Sequence, residues 1–287
     1  MKALKKVGLI AAGTMLVYSL SFAGMASAAA RGEEAAASAV TAGTESWRQT
    51  SSQTYWLLDA FERGQGVATD GNSWIFNSNY GLLRTSLDGN TVQARNGLAI
   101  PDEISKQGGN HIGDISYYNG KIYAPIEDGS SYQHPYIALF DANTLDYTGT
   151  AYALPLNLHK GGVPWVAVDA GRGQVYTAEW SNASVLNVFD LNDMHLIKTV
   201  PLSQSIDRIQ GAEMYNGSLY ASSDNGTQSV YRIDPDTGSV AVAFDRNLPS
   251  GSEAQGIAVL PTSDGAVLHI LDVGSARINV NFRHYAK

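Results

Sequence analysis

The chain has 287 residues, 44% of them hydrophobic and 16% charged, a formal charge of -8 and no cysteine. Without thiols there are no disulfides, no thiol catalysis, no thiolate metal site and no lipid anchor on cysteine. The acidic balance argues against nucleic acid and anionic lipid as partners.

Taken in chain order, the N-terminus carries Lys2, Lys5 and Lys6, then an uncharged apolar run, then Ala26-Ser27-Ala28. That order of features predicts a secretory signal over residues 1–28. The run from Val7 to Met25 approaches membrane-spanning length, but Gly8, Gly13, Ser19, Ser21 and Gly24 dilute it. The mature chain is therefore expected to be secreted or extracytoplasmic, without an integral membrane segment. Removing three lysines leaves 16 Lys+Arg against 27 Asp+Glu, a charge of -11. Residues 29–52, rich in Ala, Ser and Thr without strand alternation, read as a linker. The rest, 53–287, is long enough for one large all-β domain.

Five segments of this domain repeat one pattern: GQGVATDGNSWIFNSN from Gly64, HIGDISYYNGKIYAPIED from His111, VPWVAVDAGRGQVYTAEW from Val163, IQGAEMYNGSLYASSDN from Ile209 and AQGIAVLPTSDGAVLHILD from Ala254. Each is a strand, a turn containing Gly with Asn or Asp, and a second strand. The period of roughly 45–50 residues is that of propeller blades. Third strands follow and end at Asp88, Asp141, Asp190 and Asp234, where an Asx side chain bonds the turn backbone. Fourth strands complete four-stranded antiparallel meanders. The fifth unit lacks one strand, and the unused TYWLLDAF at 54–61 predicts ring closure by pairing with the C-terminal strand, which removes both exposed edges. The expected architecture is all-β, a five-bladed β-propeller, expected as a monomer.

In such a ring, blade-to-blade loops and loops between second and third strands share one face. Here those loops are long, whereas the turns of the opposite face are short, which marks the long-loop face as the working surface. Before the innermost strands stand Arg63, His111, Arg208 and Glu253, with Gln65, Gln210 and Gln255 close behind. After the second strands stand Asn77, Asn79, Glu127, Glu179, Asp224 and Asp272. Carboxylates thus recur around one opening. Glu127, Glu179, Asp224 and Asn79 offer oxygen ligands for a divalent cation, calcium by preference. His111, oriented by Asp114, is the candidate for proton transfer at neutral pH, and Arg208, Trp180, Tyr132 and Glu253 are the candidate substrate-binding groups. Each has a plainer reading as well: strand-end carboxylates that solvate loops, and a His that caps one.

Segments such as QGVATDG, YNGKIYAPIEDG and VYRIDPDTG resemble those of secreted five-bladed propellers, loosely of the lactonase and glutaminyl-cyclase types. The resemblance implies the fold alone, because no catalytic motif matches: where a cyclase-like Glu-Gly would begin an inner strand, this chain has Gly113-Asp114 or Gln-Gly. A nucleophile elbow, a phosphate-binding loop, a dinucleotide fingerprint and a His-Glu-x-x-His motif are all missing. The expected function is a metal-assisted hydrolase or related enzyme acting on a small extracellular substrate at the channel mouth. The alternative is a non-catalytic propeller that binds a glycan, peptide or cell-envelope component.

Overall fold

The computed structural model describes residues 45–129 and 131–287. The expected signal segment and the linker up to residue 44 lie outside the described residues. In chain order the elements are β1 (Arg48–Trp56), α1 (Leu58–Phe61), β2 (Gly66–Thr69), β3 (Ser73–Asn77), β4 (Leu82–Ser86), β5 (Val92–Asn96), α2 (Asp102–Ser105), β6 (His111–Ile112), β7 (Ser116–Tyr118), β8 (Lys121–Glu127), β9 (Tyr136–Asp141) and β10 (Tyr147–Ala153). Then come β11 (Ala167–Asp169), β12 (Gln174–Thr177), β13 (Ala183–Asp190), β14 (Leu196–Ile206), β15 (Ile209–Tyr215), β16 (Ser218–Ser223), β17 (Ser229–Ile233), β18 (Val240–Asp245), β19 (Glu253–Val259), β20 (Leu268–Val273) and β21 (Asn279–Ala286).

These strands form five antiparallel sheets, the blades of a β-propeller, and β1 completes the fifth blade in the order β1-β21-β20-β19. The closing strand differs from the expected 54–61. Pairing runs from Arg48 opposite Ala286 to Trp56 opposite Asn279, so it begins inside the stretch read as linker. It stops because Leu57 takes a left-handed φ of 54°, after which Phe61 N–H bonds Leu57 C=O at 2.9 Å and the chain coils into α1.

Local chemistry explains the meanders. Asn119-Gly120 and Asn216-Gly217 both have positive φ, the backbone that two-residue hairpin turns require. The strand-end carboxylates behave as expected: Asp88, Asp141, Asp190 and Asp234 each accept the N–H two residues on, at 2.8–2.9 Å. Burial grades outward, with β3 wholly buried and β5 largely exposed. Blades one and five are sealed by Trp74, Phe76 and Phe282, whose rings meet edge to face at 5.0 and 5.2 Å, a geometry worth about 0.5–1.5 kcal/mol per pair beyond area burial.

At the centre, the inner strand of blade two breaks into β6 and β7 around Asp114. The Asp114 N–H bonds Pro164 C=O at 2.8 Å, and its C=O accepts Val166 N–H at 3.2 Å, which ties blade two to blade three. One carboxylate oxygen accepts Val67 N–H of blade one at 2.9 Å and the other accepts Ile257 N–H of blade five at 3.1 Å. Gly211 of blade four comes so close that a Cβ there would stand 2.2 Å from the carboxylate. Asp114 thus touches the inner strands of all the other blades. Burial pushes its carboxyl well above the ordinary carboxylate range, against the two N–H donors.

Two predictions follow from this packing. A Cβ on Gly256 would stand 2.2 Å from an Asp114 oxygen and 2.6 Å from the Gly66 Cα. Gly256→Ala is therefore expected to destabilise by more than about 3 kcal/mol, at the upper end of overpacking costs, or to prevent folding; urea unfolding monitored by circular dichroism reads this out. The second concerns His269 and His284, whose Nδ1 atoms face each other at 2.6 Å. Burial holds His269 down to about 4 and lowers His284. An unfolded His titrates near ~6.5, so the unfolded chain binds more protons between about pH 6.5 and 4. Stability falls as pH drops through that window. Glu213, pushed up to about 7 by burial, acts with the opposite sign. The difference between the wild type and His269→Leu isolates the imidazole: the variant is expected to escape an acid loss on the order of 2 kcal/mol, read by melting at pH 7 and pH 4.5.

Candidate functional site at the channel mouth

Asp114 and its glycine neighbours floor the long-loop face, and the side chains just above them form the site. Gln65, Gln210 and Gln255 each immediately precede a glycine packed against that floor. His111 stands between two of its neighbours: Nδ1 is 3.0 Å from Glu127 Oε1 and Nε2 is 3.0 Å from Gln65 Oε1. The imidazole is part-exposed while Glu127 is buried. The carboxylate that orients His111 is therefore Glu127 and not Asp114, which is 1% exposed and committed to the axis. Sequence position misled here because the strand breaks between the two residues, so strand alternation does not extend across them.

The recurrent acidic residues have a structural task. Glu127 Oε2 accepts the N–H of Val163 at 2.5 Å, and Asp224 accepts the N–H of Ala254 at 2.9 Å. Each carboxylate thus latches the end of one blade's second strand to the start of the next blade's inner strand. In the corresponding place on blade one, Asn77 donates to the Ile112 and Gly113 carbonyls. Losing such an acceptor leaves a buried N–H unpaired, a cost of about 1–3 kcal/mol. Glu179 accepts the Gly161 N–H at 3.0 Å and lines a separate small pocket with Asn157 and Ser184. The backbone carbonyl of Asn79 accepts Ile112 N–H at 2.9 Å.

The four residues expected to hold calcium are thus spread around the rim, with carboxylate oxygens taken by backbone donors. Among the described residues, the one group of three acidic or imidazole side chains whose ligand atoms all lie within 4.8 Å is Asp190, Asp193 and His195. This trio can hold a divalent ion, but it sits in the turn after β13, where Leu191 N–H bonds Gly173 C=O of the blade's first turn. That is the face opposite the mouth. Asp193 and His195 are exposed; the His195 backbone N–H, at 3.1 Å, lowers the Asp193 carboxyl first, and the 2.6 Å side-chain hydrogen bond lowers it further and raises the imidazole.

The expected binding groups occupy two places. Arg208 pairs with Asp224 and lies over the Trp180 ring at 5.3 Å. Burial raises the Asp224 carboxyl, opposed by the Ala254 N–H and by Arg208. Tyr132, half-buried, packs beside Gly162 near Glu127. Glu253 accepts from Gln210 at 3.2 Å and pairs with Arg277. It belongs to a cleft of about 390 Å³ between blades one and five, lined among others by Leu57, Phe61, Gln65, Asn79, Gln255 and Ile278. Gln255 is 2% exposed and its Oε1 accepts no hydrogen bond from the described residues, an arrangement that costs about 1–3 kcal/mol. Sequence reasoning placed Gln255 at the mouth without giving it a role and passed over Leu57, Phe61 and Arg277 as site residues. The threefold Gln-Gly was the available signal, whereas nothing local marks the Ile278 loop as part of the mouth.

The family described as a repeat of unknown function matches residues 137–258, less than half of the chain. No curated protein sequence matches it. Among solved structures, the glutaminyl cyclase of Myxococcus xanthus is similar, with a TM-score of 0.59 and 15% identity over 84% of this chain and 96% of that one. At that identity the likeness concerns the five-bladed fold. Among the described residues, no helix is long and apolar enough to cross a membrane.

The geometry separates the two acidic sets. A rise in melting temperature produced by calcium or zinc is expected to disappear in Asp193→Asn. It is expected to persist in Glu127→Gln and Asp224→Asn, which instead lower the baseline melting temperature because a neutral amide oxygen is a weaker acceptor for the latch N–H; scanning calorimetry with metal and with chelator checks both.

Proposed function

We propose that the mature chain is an extracytoplasmic enzyme that moves a proton on a small substrate held at the channel mouth, hydrolysis being the reaction class it suits. The observation that carries this reading is His111, pinned by Glu127 on Nδ1 and facing Gln65 with Nε2. With the Nδ1 proton held by the carboxylate, Nε2 donates to Gln65 Oε1 when the ring is protonated and accepts from the Gln65 amide N–H, turned about its last torsion, when it is neutral, so Nε2 is the nitrogen that exchanges a proton. In hydrolysis, Nε2 takes a proton from a water whose oxygen bonds the substrate carbon. It then passes that proton to the leaving group as the scissile bond breaks, while Glu127 steadies the imidazolium between the two steps. The chemistry of the step rests on the chain's own residues; a cation at Asp190, Asp193 and His195 would lie on the other face. Calcium at the mouth remains a finer reading that depends on Glu127, Asp224 or Glu179 giving up a backbone donor.

A second reading, binding of a glycan or envelope component without turnover, is favoured by the Arg208 guanidinium over Trp180. Such a plate presents an aromatic face and a cation together.

The test is turnover of p-nitrophenyl esters, small lactones and glutaminyl dipeptides, with product release and ammonia measured. At least one substrate is expected to turn over, and His111→Ala to lower the rate by about 10²–10⁴-fold without lowering the melting temperature. Glu127→Gln is expected to lower both. An unchanged rate in His111→Ala would rule out the proton-transfer role, and no turnover of any substrate, with a glycan bound through Trp180, would favour the second reading.

A further inference from the structure

We infer that the cleft between blades one and five holds an uncharged ligand that presents an N–H or O–H donor beside an aliphatic or aromatic body. This rests on the reading of the mouth as a small-molecule site and names the class of molecule. Three independent features of the cleft point to it.

The first is its floor, which is made of neutral amides. Gln65, Asn79 and Gln255 line it, and Gln255 Oε1 is a buried acceptor with no donor among the described residues. The terminal torsion of a glutamine is broad, so a small rotation turns that oxygen towards a donor entering the cleft. A ligand N–H or O–H then satisfies an atom that the fold itself leaves unpaired.

The second is charge. Glu253 and Arg277 also line the cleft, but they face each other: Arg277 Nη1 pairs with one Glu253 oxygen while Gln210 donates to the other. Their charges cancel locally. A charged ligand would have to displace one of them from its partner, whereas a neutral ligand leaves the pair intact.

The third is the wall. Leu57 and Phe61 are 68% and 63% exposed, and Ile278 46%, and all three line this cleft. Leu57 and Phe61 are held there by the turn into α1, not by packing: the left-handed Leu57 starts the turn, and Phe61 N–H closes it on Leu57 C=O. Exposed apolar groups of this size next to a polar floor are the composition of ligand sites, and about 390 Å³ lies within their usual range of about 300–1,000 Å³. A ligand with a donor at one end and a hydrocarbon or aromatic body at the other covers both parts at once.

Titration calorimetry on the mature protein tests this with N-acetyl-L-phenylalaninamide as the probe, against free phenylalanine, which carries both charges, and acetamide, which lacks the body. The neutral amide is expected to bind at least ten-fold more tightly than either. Gln255→Leu is expected to weaken it ten-fold or more while keeping or raising the melting temperature, because the unpaired oxygen is removed with little change in volume. Phe61→Ser is expected to weaken it at least three-fold. Absence of saturable binding, equal affinity for free phenylalanine, or undiminished binding in Gln255→Leu would each overturn the inference. The outcomes separate the two readings: amide binding without turnover of any substrate sinks proton transfer alone, whereas turnover of a charged substrate without amide binding sinks only this assignment.

Discussion

A single buried carboxylate organises this propeller. Asp114 leaves its own blade's ladder, gives its backbone to blade three and its carboxylate to blades one and five, and packs against the glycine of blade four. Three glycines are needed there because any Cβ would occupy the carboxylate's space. The arrangement is high-stakes in the way of buried polar networks: satisfied, it fixes one geometry, and disturbed, it leaves several buried groups unpaired. The inner strands of blades one, four and five meet at this contact below the mouth.

The mouth inherits that rigidity through its latches. Asn77, Glu127 and Asp224 bind the end of one blade to the beginning of the next. Two of these latches also hold a side chain that faces the opening, since Glu127 fixes His111 and Asp224 pairs with Arg208. The same carboxylates thus serve stability and orientation together. A functional side chain positioned by a group that also joins two blades does not need a separate supporting shell, and it is held on strand ends, which are stiffer than loops.

Much of the fold was legible in the sequence, for reasons that can be named. The Asx turns and Asn-Gly hairpins are local, and their residues bond within three positions of themselves. Blade count followed from the repeat and from the one strand missing at the C-terminus. The closing strand was placed too late in the chain because the polar Arg48–Gln53 stretch, an exposed outer strand, carries no alternation, whereas of the apolar 54–61 stretch Thr54–Trp56 ends the strand and the remainder turns into α1. The site was legible only in part. In the recurrence of acidic residues around one opening, Glu127 and Asp224 are engaged in inter-blade bonding. Choosing between a latch and a metal ligand requires knowing which N–H faces each oxygen, and that is tertiary information. Glu127 as the partner of His111 was within reach, since the two end residues of the β6–β8 pair stand opposite each other. Asp114 was misplaced because the break in its strand is caused by blade three, which no local pattern encodes.

Glu127 and Asp224 join blades at the mouth, and the Glu127–His111 pair is its proposed proton-handling element. Nitrogen-15 NMR of the His111 ring tests that pairing most directly. The expected result is a neutral ring with its proton fixed on Nδ1 by the carboxylate, and loss of that preference in Glu127→Gln. A ring with its neutral-state proton on Nε2, indifferent to the Glu127 substitution, would contradict it.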